Sequence, residues 1–258
     1  MDLGLEGKVA IITGSSRGIG RAIAGSLAAE KAKVVLVARG REGLEAAERE
    51  LTATGAEVLP LELDMTVPDA GEEVVARSIE RFGRLDVLVN NVGGNRRKPF
   101  AETTDEDWAE IIELNVMAHL RPARAAIPAM RRQKSGVILF NSSLFGREGG
   151  GPNLSIYNTT KSALISAAKV MAQELASDGI RVLSFAPGSI RFPGGSWDRR
   201  VKEDPEGMAK FVKESMPLGR FGTAEEVAAV VTFLASGKAS LMTGACIAID
   251  GSQGHSLI

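Results

Sequence analysis

Seven short runs of aliphatic and β-branched residues, at 9–12, 34–37, 58–61, 85–89, 137–140, 182–185 and 245–249, alternate with longer segments of helical periodicity near 18–30, 41–54, 68–82, 105–133, 156–178 and 223–235. Strands separated by helices pair in parallel, and a sheet built this way is covered on both faces. The pattern predicts a doubly wound α/β architecture with a seven-stranded parallel sheet, whose ligands bind at the carboxyl ends of the strands. With 258 residues, 44% of them hydrophobic, the chain can bury one sizeable core. No repeat, low-complexity tract or linker divides it, so a single domain over 1–258 is expected. Regular alternation fails only at 191–220, which is rich in Gly, Pro and charge; a segment of this length in a compact domain reads as a lid over the substrate.

The formal net charge is −1 with both signs interspersed, which supplies no overall field for nucleic acid or an anionic membrane. The only cysteine, Cys246, cannot close an internal disulfide, and its apolar neighbours mark it as a buried strand residue in a reducing compartment. His119 and His255 have no ligand-spaced partners, so no metal site is expected. The first apolar run, 9–12, is too short for a signal or membrane segment, and the expected location is the cytoplasm.

Thr13-Gly14-Ser15-Ser16-Arg17-Gly18-Ile19-Gly20 follows the first strand and opens a helix. Glycines let the backbone turn sharply and approach a pyrophosphate, and the N–H groups and dipole of the new helix attract an anion. The spacing is not G-x-G-x-x-G, and a glycine-rich turn can also be a plain βα connection. At the end of the second strand, where an NAD enzyme would carry a carboxylate for the ribose, Ala38-Arg39 stands instead. Arg39 and Arg17, with Arg41 as a third candidate, are positioned to pair with a 2′-phosphate, which favours NADP.

Tyr157 and Lys161 are four residues apart at the start of a helical segment and share a face. A free phenol titrates near pH 10, and a neighbouring ammonium favours its phenolate. The fifth strand runs into Asn141-Ser142-Ser143, which brings hydroxyls to the carboxyl edge, where Ser143 could bond a substrate oxygen. The fourth ends Asn90-Asn91-Val92-Gly93, suited to close packing beside a ribose, and Asn115 is a buried polar candidate that needs a partner or water.

Together the T-G-x-x-x-G-I-G loop, Asn90-Asn91-x-Gly93, Asn115, Ser143, Tyr157-x-x-x-Lys161 and Pro187-Gly188 resemble the short-chain dehydrogenase/reductase family over essentially the whole chain, in the family's order and spacing. The resemblance implies a Rossmann-type NADP-dependent oxidoreductase. In it Ser143 polarises the carbonyl, Tyr157 moves the proton, Lys161 lowers the tyrosine pKa and holds the nicotinamide ribose, and Asn115 supports a water leading from Lys161 to solvent. Gly14, Ser16, Arg17, Gly18, Ile19 and Gly20 would meet the cofactor phosphates; Asp64 and Met65 would flank the adenine; Asn91 and Gly93 would line its ribose. Pro187, Gly188 and Ile190 would meet the carboxamide, and Asn90 would tie neighbouring strands together.

The chain departs from the family where Phe192 replaces a threonine that holds the nicotinamide amide, and where Lys31 and Ser252 replace glycines. Many similar members resemble 3-oxoacyl-[acyl-carrier-protein] reductases, a likeness spread too broadly over the family to fix the substrate; the leading expectation is a ketone or 3-oxoacyl carbonyl, or a secondary alcohol. A sugar, polyol or steroid alcohol, or a cofactor-binding regulator without turnover, are the alternatives. Aromatics of the lid, Phe192, Trp197 and Phe211, with Met216, either pack it shut or touch substrate. The run Asn95-Arg96-Arg97-Lys98, with Arg147 and Arg191, either attracts an anionic substrate or is a solvated face; Arg131 and Arg132 make a weak case for docking an acidic carrier. Apolar faces on 105–133 and 156–178 suggest a homotetramer or homodimer.

Overall fold

Residues 2–257 are described by the computed structural model. The seven strands are β1 (Val9–Thr13), β2 (Lys33–Ala38), β3 (Val58–Glu62), β4 (Val87–Asn90), β5 (Gly136–Asn141), β6 (Ile180–Pro187) and β7 (Cys246–Ile249). They form one sheet in the order β3-β2-β1-β4-β5-β6-β7, parallel throughout. The order reverses between β1 and β4, and the crevice at such a reversal is where this architecture binds ligands.

Successive strand residues serve opposite layers. Ala10 and Ile12 of β1 pack in the layer of α1 (Gly18–Ala29), α2 (Arg41–Ala53) and the helix Ala224–Ala235, while Val9 and Ile11 pack in the layer of α3 (Ala70–Phe82) and the helices Ala118–Gln133 and Ser155–Leu175. The segment expected as one helix over 105–133 is broken in two. It comprises α4 (Asp105–Ile112), a π-helical turn at Glu113–Met117 and α5 (Ala118–Gln133). A single π turn spans too few residues to stand out from a helical pattern judged over longer windows, which hides it from a sequence reading. α3 and α5 approach so closely that a Cβ on Gly71 would lie 2.7 Å from the Pro122 nitrogen.

After β5 a short α6 (Leu144–Arg147) precedes α7 (Ser155–Leu175), which packs on β6. The lid region holds α8 (Ser196–Glu203) and α9 (Pro205–Ser215), followed by α10 (Ala224–Ala235). Trp197 stacks on Phe211 at 5.0 Å and meets Phe221 at 5.4 Å, so these lid aromatics hold the two lid helices to each other. Cys246 lies on β7 as expected but is only half-buried. Among the described residues no helix is long and apolar enough to cross a membrane.

Candidate active site

The carboxyl ends of the strands open into a cleft of about 660 Å³, lined by the glycine-rich turn, the ends of β4, β5 and β6, the start of α7 and the lid. Tyr157 sits in the first turn of α7 and Lys161 one turn on, with the ammonium 5.9 Å from the phenol ring centre. Lys161 Nζ donates to the Asn141 carbonyl at 2.7 Å, which ties α7 to the end of β5. Ser142 Oγ donates to the Lys161 carbonyl at 2.8 Å, and Ser143 Oγ accepts from Phe145 N at 3.1 Å, capping α6. Two consecutive serines therefore divide the work: one fixes α7 and the other is left at the cleft.

Burial sets the acid–base character here. Desolvation pushes the Tyr157 phenol above its usual value, opposed by its hydrogen bond with Ser143. It pulls Lys161 down to about 7. In this arrangement Lys161 is aimed at the Asn141 carbonyl rather than the phenol, so the expected lowering of the tyrosine is not what the geometry gives.

Asn115 lies in the π-helical turn, fully buried, and all of its amide is used. Its Oδ1 accepts from Gly94 N at 2.9 Å, and its Nδ2 donates to the Gly94 carbonyl at 2.9 Å and to Thr160 Oγ1 at 3.0 Å. It fastens the segment after β4 to α7 and does not line the cleft. Gly93 leaves room beside it: a Cβ there would stand 3.3 Å from Lys161 Nζ.

The strand-tying role expected of Asn90 falls to Asn91, which also lines the cleft as expected. Asn91 Nδ2 donates to the Thr13 and Gly14 carbonyls at 3.1 and 3.2 Å, and its Oδ1 accepts from Asn141 Nδ2 at 2.7 Å, so Asn91 ties β1 to β5 across β4 while still lining the cleft. Asn90 is fully buried and neither amide atom has a partner. Adjacent residues of a strand face opposite layers, and sequence alone does not say which asparagine meets the loop.

The glycine-rich turn fits a phosphate. Gly14 and Gly18 have φ of +67° and +56°, and a Cβ on Gly20 would collide with the Gly14 carbonyl. Helix α1 starts with no side-chain cap and no acidic residue in its first turn. By contrast α4 and α10 carry full capping boxes, Thr104 with Asp107 and Thr223 with Glu226. The first N–H groups of α1 are thus left for an anion. Arg17 and Ile19 line the cleft, whereas Ser16 is packed beside Gly43 of α2. Phe192 of the lid lies over the turn, its ring 2.6 Å from where a Gly18 Cβ would be.

Toward β2 and β3, Arg39 is exposed and 3.5 Å from Asp64 Oδ2, and Asp64 Oδ1 accepts from Thr66 N and Oγ1 at 3.0 and 2.8 Å. Arg41 is paired with Glu62 at 2.9 Å, both side chains exposed. Met65 is 2% exposed and packs in the layer of α3 and α5, so its side chain is core, and only its backbone is left to meet an adenine. Pro187, Gly188 and Ile190 line the cleft as expected. Sequence reasoning missed Ser189 and Gln253, which line it too. Gln253 accepts from Ser189 N at 2.9 Å and donates to Ser189 Oγ at 3.0 Å, which holds the turn after β7 at the site.

A parallel sheet with an uncapped helix behind a glycine-rich turn, and a tyrosine, serine and lysine gathered at the same edge, defines a dinucleotide-type oxidoreductase site. The family model described as enoyl-(acyl carrier protein) reductase matches residues 14–252. The 3-oxoacyl-[acyl-carrier-protein] reductase FabG of Thermotoga maritima is 37% identical over 247 residues, 96% of this chain and 98% of that protein. That of Escherichia coli is 37% identical over 251 residues, 97% and 99% of the two chains. Among solved structures, L-sorbose reductase from Gluconobacter frateurii, complexed with NADPH and L-sorbose, superposes with a TM-score of 0.95 at 38% identity over 100% of both chains. A short-chain alcohol dehydrogenase described as putative, from Sinorhizobium meliloti, gives 0.89 at 32% identity over 96% and 97%. The chain belongs to the short-chain dehydrogenase/reductase family.

Proposed function

We propose that this protein is an NADP(H)-dependent reductase of a ketone, with Tyr157 as the proton donor, and that the whole chain acts as one NADP-binding domain in the cytoplasm, assembled as a homodimer or homotetramer. The observation that carries the reading is the meeting of Tyr157, Ser143 and Lys161 at one wall of a cleft whose other wall is the phosphate-fitting turn. The start of α1 would hold the pyrophosphate, Arg17 and Arg39 the 2′-phosphate, and the backbone at Pro187, Gly188 and Ile190 the carboxamide. When bound there, NADPH would supply hydride chemistry to a carbonyl.

The chain's own residues manage the oxygen. Ser143 donates a hydrogen bond to it as negative charge develops, and Tyr157 delivers its phenolic proton, giving the alcohol. Burial raises the phenol's pKa, which keeps it in the protonated form from which it can donate. Lys161 holds the end of β5 against α7 and stands ready for the nicotinamide ribose. Asn115 fixes the backbone at Gly94 and, through Thr160 Oγ1, the turn that carries Tyr157; Thr160 itself donates to the Tyr157 carbonyl at 2.9 Å.

Tyr157→Phe tests this. The ring still fills its site, so NADPH affinity, followed by fluorescence titration, should stay within a few-fold, while turnover should fall by about a hundredfold or more. Retention of more than about a tenth of wild-type activity would mean another group supplies the proton.

A further inference from the structure

Five basic side chains and no acidic one line the cleft: Arg17, Arg97, Lys161, Arg199 and Arg200. The cations around them are matched. After β4, Asp107 takes both Arg96 and Lys98, each at 2.8 Å. In the lid, Asp198 takes Arg191 at 3.1 Å and Lys202 at 2.7 Å. Arg147 donates to the Cys246 carbonyl at 2.8 Å, and Arg131 is paired with Asp178 at 2.7 Å. Most of the basic run expected to attract substrate is therefore neutralised on the spot.

Three guanidiniums of the cleft are left over: Arg17, beside the phosphate-fitting turn, and two farther out. Arg97, between the two cations held by Asp107, and Arg200, two residues before Lys202, have no ion pair or side-chain hydrogen bond among the described residues. They are close enough to feel each other, since burial and then the Arg200 charge lower the pKa of Arg97. Arg200 is held over the Trp197 ring at 4.8 Å, and Trp197 is fixed in turn by Phe211 and Phe221. Arg199 is turned aside to the Gly194 carbonyl at 2.8 Å. Two unpaired cations lining one cleft, near enough for the charge of one to act on the other, repel each other until an anion enters between them.

We propose that Arg97 and Arg200 form an anion subsite, and that the substrate is a carbonyl or alcohol compound bearing a carboxylate or phosphate group that this pair receives while Tyr157 and Ser143 meet the oxygen. The inference deepens the oxidoreductase reading and rests on it. The subsite joins a fixed wall to the lid, so the arriving anion also draws α8 toward the segment after β4, closing the site on a substrate of the right charge.

The test compares matched carbonyls with NADPH: levulinate against its methyl ester, and dihydroxyacetone phosphate against dihydroxyacetone. At least one anion should exceed its neutral partner about tenfold or more in kcat/KM, mainly through KM, and the pair that responds tells carboxylate from phosphate. In Arg97→Gln/Arg200→Gln that ratio should collapse to near one. No preference in the wild type, or a preference that survives the double substitution, overturns the proposal. A loss of NADPH affinity with an unchanged ratio assigns the pair to the cofactor and also overturns it. Should none of the four be reduced, the same anions are titrated into the NADP⁺-loaded protein by tryptophan fluorescence. A saturable signal lost in the double variant supports the subsite, and no signal, or an equal one, overturns it. Failure of NADPH itself to bind would instead overturn the oxidoreductase reading, and is seen separately.

Discussion

The two ends of the one sheet hold cavities of similar size, about 610 Å³ at the amino ends and 660 Å³ at the carboxyl ends, but treat charge in opposite ways. At the amino end Asp86, 5% exposed, accepts from Arg84 twice at 2.7 Å, from Val9 N at 3.0 Å and from Lys8 at 3.3 Å. Arg181 there donates to the carbonyls of Leu234, Ser236 and Met242 at 2.8, 3.0 and 3.2 Å. At the carboxyl end the helix start is uncapped, three arginines lack an ion pair or side-chain hydrogen bond and the buried lysine has only a carbonyl. Matched charge at one end stabilises the fold, and unmatched charge at the other is held for ligands.

The largest test of that contrast substitutes one residue at each end. Asp86→Ala leaves the Val9 N–H and two cations without their acceptor and should lower unfolding free energy by about 2–4 kcal/mol, while kcat/KM stays within a few-fold. Lys161→Met should do the reverse: turnover falls about a hundredfold or more, yet stability holds or rises, because a buried ammonium has been removed. Urea unfolding at one fixed protein concentration, with NADPH oxidation, reads both. Equal losses of stability in the two variants would break the comparison.

A smaller effect sharpens it. Lys161 is pulled down to about 7 by burial, whereas in the unfolded chain it titrates near 10.4. Between those values the unfolded state binds more protons, so this residue makes stability rise with pH from about 7 upward, with a slope of up to about 1.4 kcal/mol per pH unit. Urea midpoints at pH 6.5 and 9 should therefore rise more in the wild type than in Lys161→Met. A parallel pair of changes would mean the lysine is not strained in the fold.

The same contrast explains what was legible in the sequence. Strand runs such as 9–12 and 34–37 are apolar at every position because both faces are covered, and this survives any detail of packing. Tyr157, Lys161 and Ser143 were legible because their spacing and place at strand and helix ends are local properties. Which neighbour of a pair faces the site was not, since that depends on packing between distant segments. Asn91 rather than Asn90 tied the strands, Arg97 separated from Arg96 and Lys98 only through Asp107, and Met65 turned into the core. The lid helices escaped because their apolar residues pack mainly on each other, leaving no stripe turned to the sheet.

If the amino end serves stability alone, relieving strain there should strengthen the fold without touching turnover, and Lys31 offers the case. It follows α1, near the start of β2, with φ of +60°, a left-handed conformation that costs a residue with a Cβ about 1–2 kcal/mol. Its N–H and carbonyl are both used, donating to the Ala28 carbonyl at 2.9 Å and accepting from Gly7 N at 3.0 Å, so the backbone is held there whatever the side chain. Its ammonium meets Glu6 at 3.3 Å, but both side chains are more than 70% exposed, and such a pair contributes little. Lys31→Gly removes the strain and keeps both backbone bonds, at the expense of a more flexible unfolded chain worth about 0.5–1 kcal/mol. The expected net gain is about 0.5 kcal/mol, seen as a higher urea midpoint, with kcat and KM unchanged. A lower midpoint would show that the exposed pair with Glu6 outweighs the strain, and a changed kcat would show that the two ends of the sheet are coupled.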